Sequence, residues 1–346
     1  MKYSSEYWND VELVVDQICN LKNLFGKKVL ITGCTGMICS SVVDVITFLN
    51  KEQNANIKLY LAGRNSERVA YRFKDTLSSY DYEFVQYDAT QSQTIDLQVD
   101  YIIQGASNAN PAIFAKEPVE TLLGNIFGLK SILELARLNP NSRVLLVSSS
   151  EVYGNRSDAI KDPYLENDYG FVDILNPRAC YPTGKRASET LCAAYYQEYK
   201  VDFVTVRPGH IYGPSITLSD SRASAAFTRS VAAGENIVMK SAGTQLRSYC
   251  YTLDCASAIL TVLINGESAN AYNISNKNSL ATIRDIADEL AKAGGVEVHY
   301  ENPSDIEMRS YNLMSISALN AQKLEKLGWK AVFDLETGVK RTLLFY

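Results

Sequence analysis

The sequence predicts a doubly wound α/β protein: a parallel sheet covered by helices on both faces, followed by a smaller α/β unit. Three observations predict it. Short apolar runs rich in Val, Ile and Leu alternate with longer stretches of helical periodicity, the signature of βαβ units. A glycine loop sits where the first apolar run passes into the first long apolar helix. Beyond Pro214 the texture shortens, punctuated by Gly234, Gly243, Gly266 and the Gly294–Gly295 pair.

The elements follow in order. Val11, Val14, Val15, Ile18, Cys19 and Leu21 predict an amphipathic helix over 11–24, ended by Gly26. Strands are expected at Lys28–Thr32, Ile57–Ala62, Tyr82–Gln86, Tyr101–Ile103, Val144–Val147 and Phe203–Val206. Helices are expected between them, notably over Glu120–Arg137 and from Arg178 to about Tyr199. At ~150 residues per domain, the length of 346 fits about two domains. The boundaries read as a helical extension at 1–26, a dinucleotide-binding unit at 27–206 and a substrate unit at 207–346, with some late elements returning to the first sheet.

Composition excludes several classes. The 34 Lys plus Arg against 39 Asp plus Glu give a net charge of −5, so no basic excess is present for a nucleic-acid backbone. No apolar run reaches the ~18 residues of a membrane span, and Glu6, Asp10, Glu12 and Asp16 occupy the place of a signal peptide's apolar stretch. A cytoplasmic protein is expected. The 7 cysteines form no CxxC pair and read as reduced thiols; with 2 histidines, no metal site is expected.

Chemistry concentrates in two places. The loop Gly33, Cys34, Thr35, Gly36, Met37, Ile38 lies at a strand-to-helix junction, where free N–H groups and the helix dipole suit a dinucleotide pyrophosphate. The residue where a third glycine is usual is Cys39, so the helix must pack around a thiol. After the second strand no carboxylate is available for a ribose 2′-hydroxyl. Arg64, with Arg68 nearby, either faces a 2′-phosphate, favouring NADP over NAD, or lies in solvent. Asp88 either accepts from an adenine amino group or caps the segment it begins. The second place is Tyr181 and Lys185, one helical turn apart on one face. A lysine there is expected to lower the phenol's pKa so that the tyrosine exchanges a proton while hydride moves. Ser149 and Glu151, after the fifth strand, supply a hydroxyl for the same substrate oxygen and a second acid/base.

These residues give the chain a resemblance to the extended short-chain dehydrogenase/reductase family, in its nucleotide-sugar epimerase/dehydratase branch. The likeness runs from about Lys28 to Leu344. It includes the TGxxG loop, Pro118 with Asn125 and Gly128, Ser148 to Gly154, the YxxxK pair, Arg207-Pro208 with Tyr212-Gly213-Pro214, Arg247 before Tyr251 and Asp254, and Leu327-Gly328-Trp329. The resemblance implies a Rossmann domain holding NADP or NAD, a C-terminal grip on a nucleoside-diphosphate sugar, and hydride transfer at C4. It assigns catalysis to Ser149, Glu151, Tyr181 and Lys185 and places Ala106 beside the cofactor. Ser107, Asn108, Ser150, Arg178 and Arg247 are assigned to the substrate. His210 stands where the family usually has asparagine, so it either meets the diphosphate or is a buried loop histidine. The helices after the fourth strand and from Arg178 imply a homodimer through a four-helix interface.

The pair Ser150-Glu151 lacks the acid of thymidine-type dehydratases and resembles guanosine-type 4,6-dehydratases and UDP-glucuronate decarboxylases, and Asn176 to Tyr181 with Gly184 to Arg186 looks most like the decarboxylases. Oxidation-initiated dehydration or decarboxylation therefore ranks first, a 4-keto-sugar reductase second and a 4-epimerase third. A non-catalytic dinucleotide-binding module is the reading from another class.

Overall fold

The computed structural model describes residues 1–157, 159–303 and 314–346. Strands β1 (Lys28–Thr32), β2 (Lys58–Gly63), β3 (Tyr82–Gln86), β4 (Tyr101–Gln104), β5 (Arg143–Val147) and β6 (Asp202–Pro208) form one parallel sheet, which Asn270–Ile274 completes at its far edge. Its order is Asn270–Ile274, β6, β5, β4, β1, β2, β3, so the winding reverses between β4 and β1. Ligands bind such sheets at the carboxyl ends of the strands beside that reversal.

Alternation along each strand feeds two cores. In β1, Val29 and Ile31 join one cluster with Val42, Val43 and Ile46, and Leu30 joins the other with Leu129, Ile132 and Leu133. The helices are α1 (Ser5–Val15), α2 (Met37–Glu52), α3 (Ser66–Phe73), α4 (Pro111–Lys116), α5 (Pro118–Leu138) and α6 (Cys180–Tyr199). α5 packs along α6 on one face, and α2 packs on Thr252–Asn265 on the other.

The first helix departs from the expected 11–24. Ser4 caps it by accepting from the Tyr7 N–H, so it begins at Ser5, and it ends at Val15. A 3-10 turn at Leu21–Leu24 follows, entered through Asn20 at φ 57°, a left-handed conformation that breaks helical continuity. The segment is built into the body of the protein: Tyr7, Val11 and Val14 are fully buried. Tyr7 and Tyr3 both donate to Asp44 of α2, at 2.8 Å and 3.3 Å, and Arg72 of α3 donates to the Tyr3 oxygen at 2.5 Å.

Beyond β6, β7 (His210–Tyr212) pairs with Leu246–Tyr251, which also pairs with Leu280–Thr282 and Ile316–Ser317. This small sheet carries His210 and Arg247 toward the end of the large one. All seven cysteines are free thiols. Among the described residues, no helix is long and apolar enough to cross a membrane, and no cluster of His, Cys, Asp and Glu forms a metal site.

Candidate functional site

The glycine loop leaves β1 and enters α2 beneath the first residues after β4. Gly33 has φ +65°, and a Cβ there would stand 2.8 Å from the Ala106 nitrogen, so only glycine fits. Gly36 is the N-cap of α2 and brings no side-chain acceptor to its first turn. The Thr32 hydroxyl accepts from the Gly105 and Ala106 N–H groups at 3.1 Å and 3.0 Å, fixing the loop after β4 against the glycine turn. An uncapped helix start between two close-packed backbones fits a dinucleotide pyrophosphate. Thr35, Met37 and Ile38 belong to this turn. The Cys39 thiol points into the space left by Gly105, whose absent side chain is what lets cysteine replace the usual glycine.

Arg64 is exposed at the end of β2. Asp88 takes its local role: Oδ1 accepts from the Thr90 N–H and hydroxyl at 2.9 Å and 2.8 Å. Ser107 donates to Asn125 of α5 at 3.0 Å, orienting the loop that continues through Asn108.

The residues expected to be catalytic meet at the end of β5. Ser149 caps a 3-10 turn, Ser150–Tyr153, by accepting from the Glu151 N–H at 3.2 Å. Across from it, α6 presents Tyr181 and Lys185, which are 7% and 4% exposed. The Lys185 ammonium donates to the Val147 carbonyl at 2.9 Å and lies 5.8 Å from the Tyr181 ring centre. The expected lowering of the phenol's pKa does not occur. Burial, reinforced by the Glu151 carboxylate, pushes Tyr181 up to about 12, against a lowering hydrogen bond with Ser149. Burial brings Lys185 down to about 8.

Glu151 and Arg178 form a two-pronged ion pair, with Nη1 to Oε2 at 3.0 Å and Nη2 to Oε1 at 2.9 Å. A fork of this kind fixes the direction of both groups. Sequence reasoning missed Phe114 of α4, which stacks on the Tyr181 ring at 4.6 Å and lies under the Arg178 guanidinium at 4.9 Å. Only the Asn110-Pro111 helix start hints at an element there, and nothing in the spacing aims it at Tyr181.

The opposite wall carries Arg247 and His210. Arg247 is 2% exposed and donates to the Leu246 carbonyl at 2.9 Å; among the described residues no carboxylate pairs with it. His210 is half-buried, yet its Nδ1 is inaccessible and unpartnered. Burial, with Arg247 and Arg222 close by, holds it well below the usual histidine range, so it is neutral. A buried guanidinium beside a neutral imidazole makes a wall suited to an anion.

The protein matches the model of the NAD dependent epimerase/dehydratase family over residues 29–275. Among curated relatives, UDP-glucuronic acid decarboxylase 6 of Arabidopsis thaliana is 28% identical over 315 residues, covering 90% of this chain and 86% of that protein. UDP-glucuronic acid decarboxylase 1 of Xenopus tropicalis is 28% identical over 324 residues, covering 92% and 72%. Among solved structures, the fold is that of the UDP-glucose 4-epimerase of Thermotoga maritima with UDP-glucose, at TM-score 0.76, 21% identity and coverage of 92% and 98%. It is equally that of the dTDP-glucose 4,6-dehydratase of Bacillus anthracis with NAD, at TM-score 0.74, 19% identity and coverage of 92% and 96%. The glycine turn, the Tyr181–Lys185 helix and these matches agree: the chain belongs to the NAD dependent epimerase/dehydratase family.

Proposed function

We propose that the protein is a nucleotide-sugar decarboxylase that oxidises the C4 hydroxyl of a UDP-hexuronate and then releases its C6 carboxylate as carbon dioxide. The observation that carries this reading is the Glu151–Arg178 fork set beside Tyr181, in a chain whose curated relatives include UDP-glucuronic acid decarboxylases. NAD, when bound, supplies the acceptor for the C4 hydride.

The chain's own residues do the rest. Gly33 and Gly36 admit the pyrophosphate to the start of α2. Ser149 holds the C4 oxygen and Tyr181, as the phenolate that the nearby Lys185 ammonium stabilises, takes the C4 hydroxyl proton as the hydride leaves. The ketone at C4 makes the C6 carboxylate that of a β-keto acid: the C5–C6 bond breaks, its electron pair passes to the C4 oxygen, and a solvent-derived proton reaches C5 by way of Glu151. Arg178 holds Glu151 in place and gives the substrate carboxylate a cation to meet. Ser107, Asn108 and Ser150 line the sugar side, and Arg247 with His210 receives the diphosphate. Ala106 flanks the cofactor.

Incubation with UDP-glucuronate in deuterated buffer, with products read by mass spectrometry, tests this. Loss of carbon dioxide together with one deuterium at C5 supports it; an intact carboxylate removes it. Arg64, standing where a carboxylate for the ribose is usual, favours one second reading, an NADPH-dependent 4-keto-sugar reductase. Oxidation of NADPH only on addition of a 4-keto-sugar selects that reading.

The working unit we infer is a homodimer through α5 and α6. On α5, Leu123 and Ile126 are half-buried and Phe127 is 37% exposed, and on α6 Ala194 is exposed. Light scattering on a sizing column reads the mass directly, and a monomer at micromolar concentration counts against it. The seven free thiols support a reducing, cytoplasmic setting.

A further inference from the structure

Behind the catalytic turn lies a buried polar network that the mechanism above does not use. Glu189 follows Lys185 by one turn of α6, on the same face. Its Oε1 accepts from the Ser148 hydroxyl at 2.5 Å and from Arg207 Nε at 3.0 Å, and its Oε2 accepts from Arg207 Nη2 at 2.6 Å. Arg207 is 4% exposed, and its Nη1 also donates to the Tyr153 hydroxyl at 3.1 Å and the Glu166 carbonyl at 2.8 Å. Arg186, also on α6, donates to the Val152 carbonyl at 2.7 Å. Three α6 residues, Lys185, Arg186 and Glu189, thus grip residues 147, 148 and 152, on both sides of Ser149 and Glu151.

We propose that Glu189 is a positioning residue for the C4 chemistry: clamped by Arg207, it ties Ser148, and with it the Ser149–Glu151 turn, to the helix that carries Tyr181, and it is the carboxylate that keeps Lys185 charged. This inference rests on the reading of Tyr181 and Lys185 as the proton-transfer pair. The surroundings of Lys185 support the second role. The groups facing it are Glu189 and Tyr181 from its own helix, the Cys39 thiol from α2 and the Val147 carbonyl from β5. Burial opposes its charge, and Glu189 is foremost among the groups that favour it. The fork to Arg207 holds the Glu189 carboxylate in place one turn from Lys185. The pattern K-x-x-x-E is visible in the sequence, but its meaning depends on the strand that places Arg207 against it.

The test separates the two roles. The protein is labelled at lysine Cε with carbon-13, the Lys185 signal is assigned by its loss in Lys185→Met, and its titration is followed by NMR without substrate. In Glu189→Gln, which keeps the side-chain shape and an acceptor for Ser148, the Lys185 midpoint falls by about one pH unit. In Ser148→Ala the midpoint stays, while kcat on UDP-glucuronate falls at least ~10-fold with KM unchanged, since the hydroxyl that orders the turn is gone and the substrate grip is not. An unmoved midpoint in Glu189→Gln overturns the electrostatic role, and full kcat in Ser148→Ala overturns the tie. The titration uses no substrate, so a wrong substrate assignment leaves it readable. Ser148→Ala leaves the Glu189–Arg207 pair intact and remains a test where Glu189→Gln fails to fold.

Discussion

Tyr181 concentrates the account at the scale of single residues. Its phenol is buried, stacked on Phe114 and lifted to about 12, so it is protonated at neutral pH in the resting protein, and the Lys185 charge has to favour its ionised form before it can accept the C4 proton. Replacing it as Tyr181→Phe keeps the stacking and removes the proton path. Turnover is expected to fall by about 10²–10⁴-fold, with NAD affinity, read by fluorescence, unchanged. Glu151→Gln weakens the fork to Arg178 and removes the group that delivers the proton to C5; the rate of solvent-deuterium incorporation at C5 is expected to fall more than that of hydride transfer at C4. The positions of Tyr181 and Lys185 were legible because one helical turn puts both on one face whatever the fold around them. The direction of the phenol's shift was not, because burial and the Glu151 charge are tertiary facts. Phe114 was invisible for the same reason: its role depends on α4 packing against the start of α6.

At the scale of elements, two junctions define what the sequence states and what it withholds. The replacement of a glycine by Cys39 in α2 was legible, but the space that accommodates it comes from Gly105, 66 positions later by the numbering. A Cβ on Gly105 would overlap the Cys39 sulfur. Gly105→Ala is therefore expected to destabilise by about 1–3 kcal/mol, with part of the loss recovered in the double variant with Cys39→Gly, as read from urea unfolding. The extension α1 was legible as an amphipathic helix but not in its limits, because the Ser4 cap and the left-handed Asn20 are decided by backbone conformation. Nor did any pattern point to Asp44, buried in α2 under Tyr3 and Tyr7. Burial lifts Asp44 to about 6 from an ordinary 3.8. A raised carboxyl pKa means that the folded state binds the proton more tightly, so this contribution to stability is present at low pH and is lost as pH rises toward and through 6. Asp10 and Asp254 are raised in the same sense and contribute with the same sign. Asp44→Asn is expected to flatten, without abolishing, the fall in urea-unfolding free energy between about pH 4 and pH 7. A slope identical to that of the parent would remove Asp44 from the account.

On the scale of the whole molecule, the large sheet explains why these residues meet. Reversal of the winding between β4 and β1 opens a crevice at the carboxyl ends of the strands, and the glycine turn, the loop after β4 and the turn after β5 all end there. The alternation of strand and helix made this sheet readable through β6, because parallel strands buried on both faces appear as unbroken apolar runs. The small sheet is less readable: its strands are two to six residues long, and Arg247 is brought to the site by pairing with Leu280–Thr282 and Ile316–Ser317 rather than by any local pattern. In the proposed reaction this crevice oxidises C4 in order to release C6. The most direct measurement is of carbon dioxide from UDP-glucuronate labelled with carbon-13 at C6, with wild-type protein and Tyr181→Phe side by side. Labelled carbon dioxide is expected in proportion to the pentose product from the wild type, and at most about a hundredth of that from the variant. Label retained in the nucleotide sugar by the wild type, or released equally by both, would contradict it.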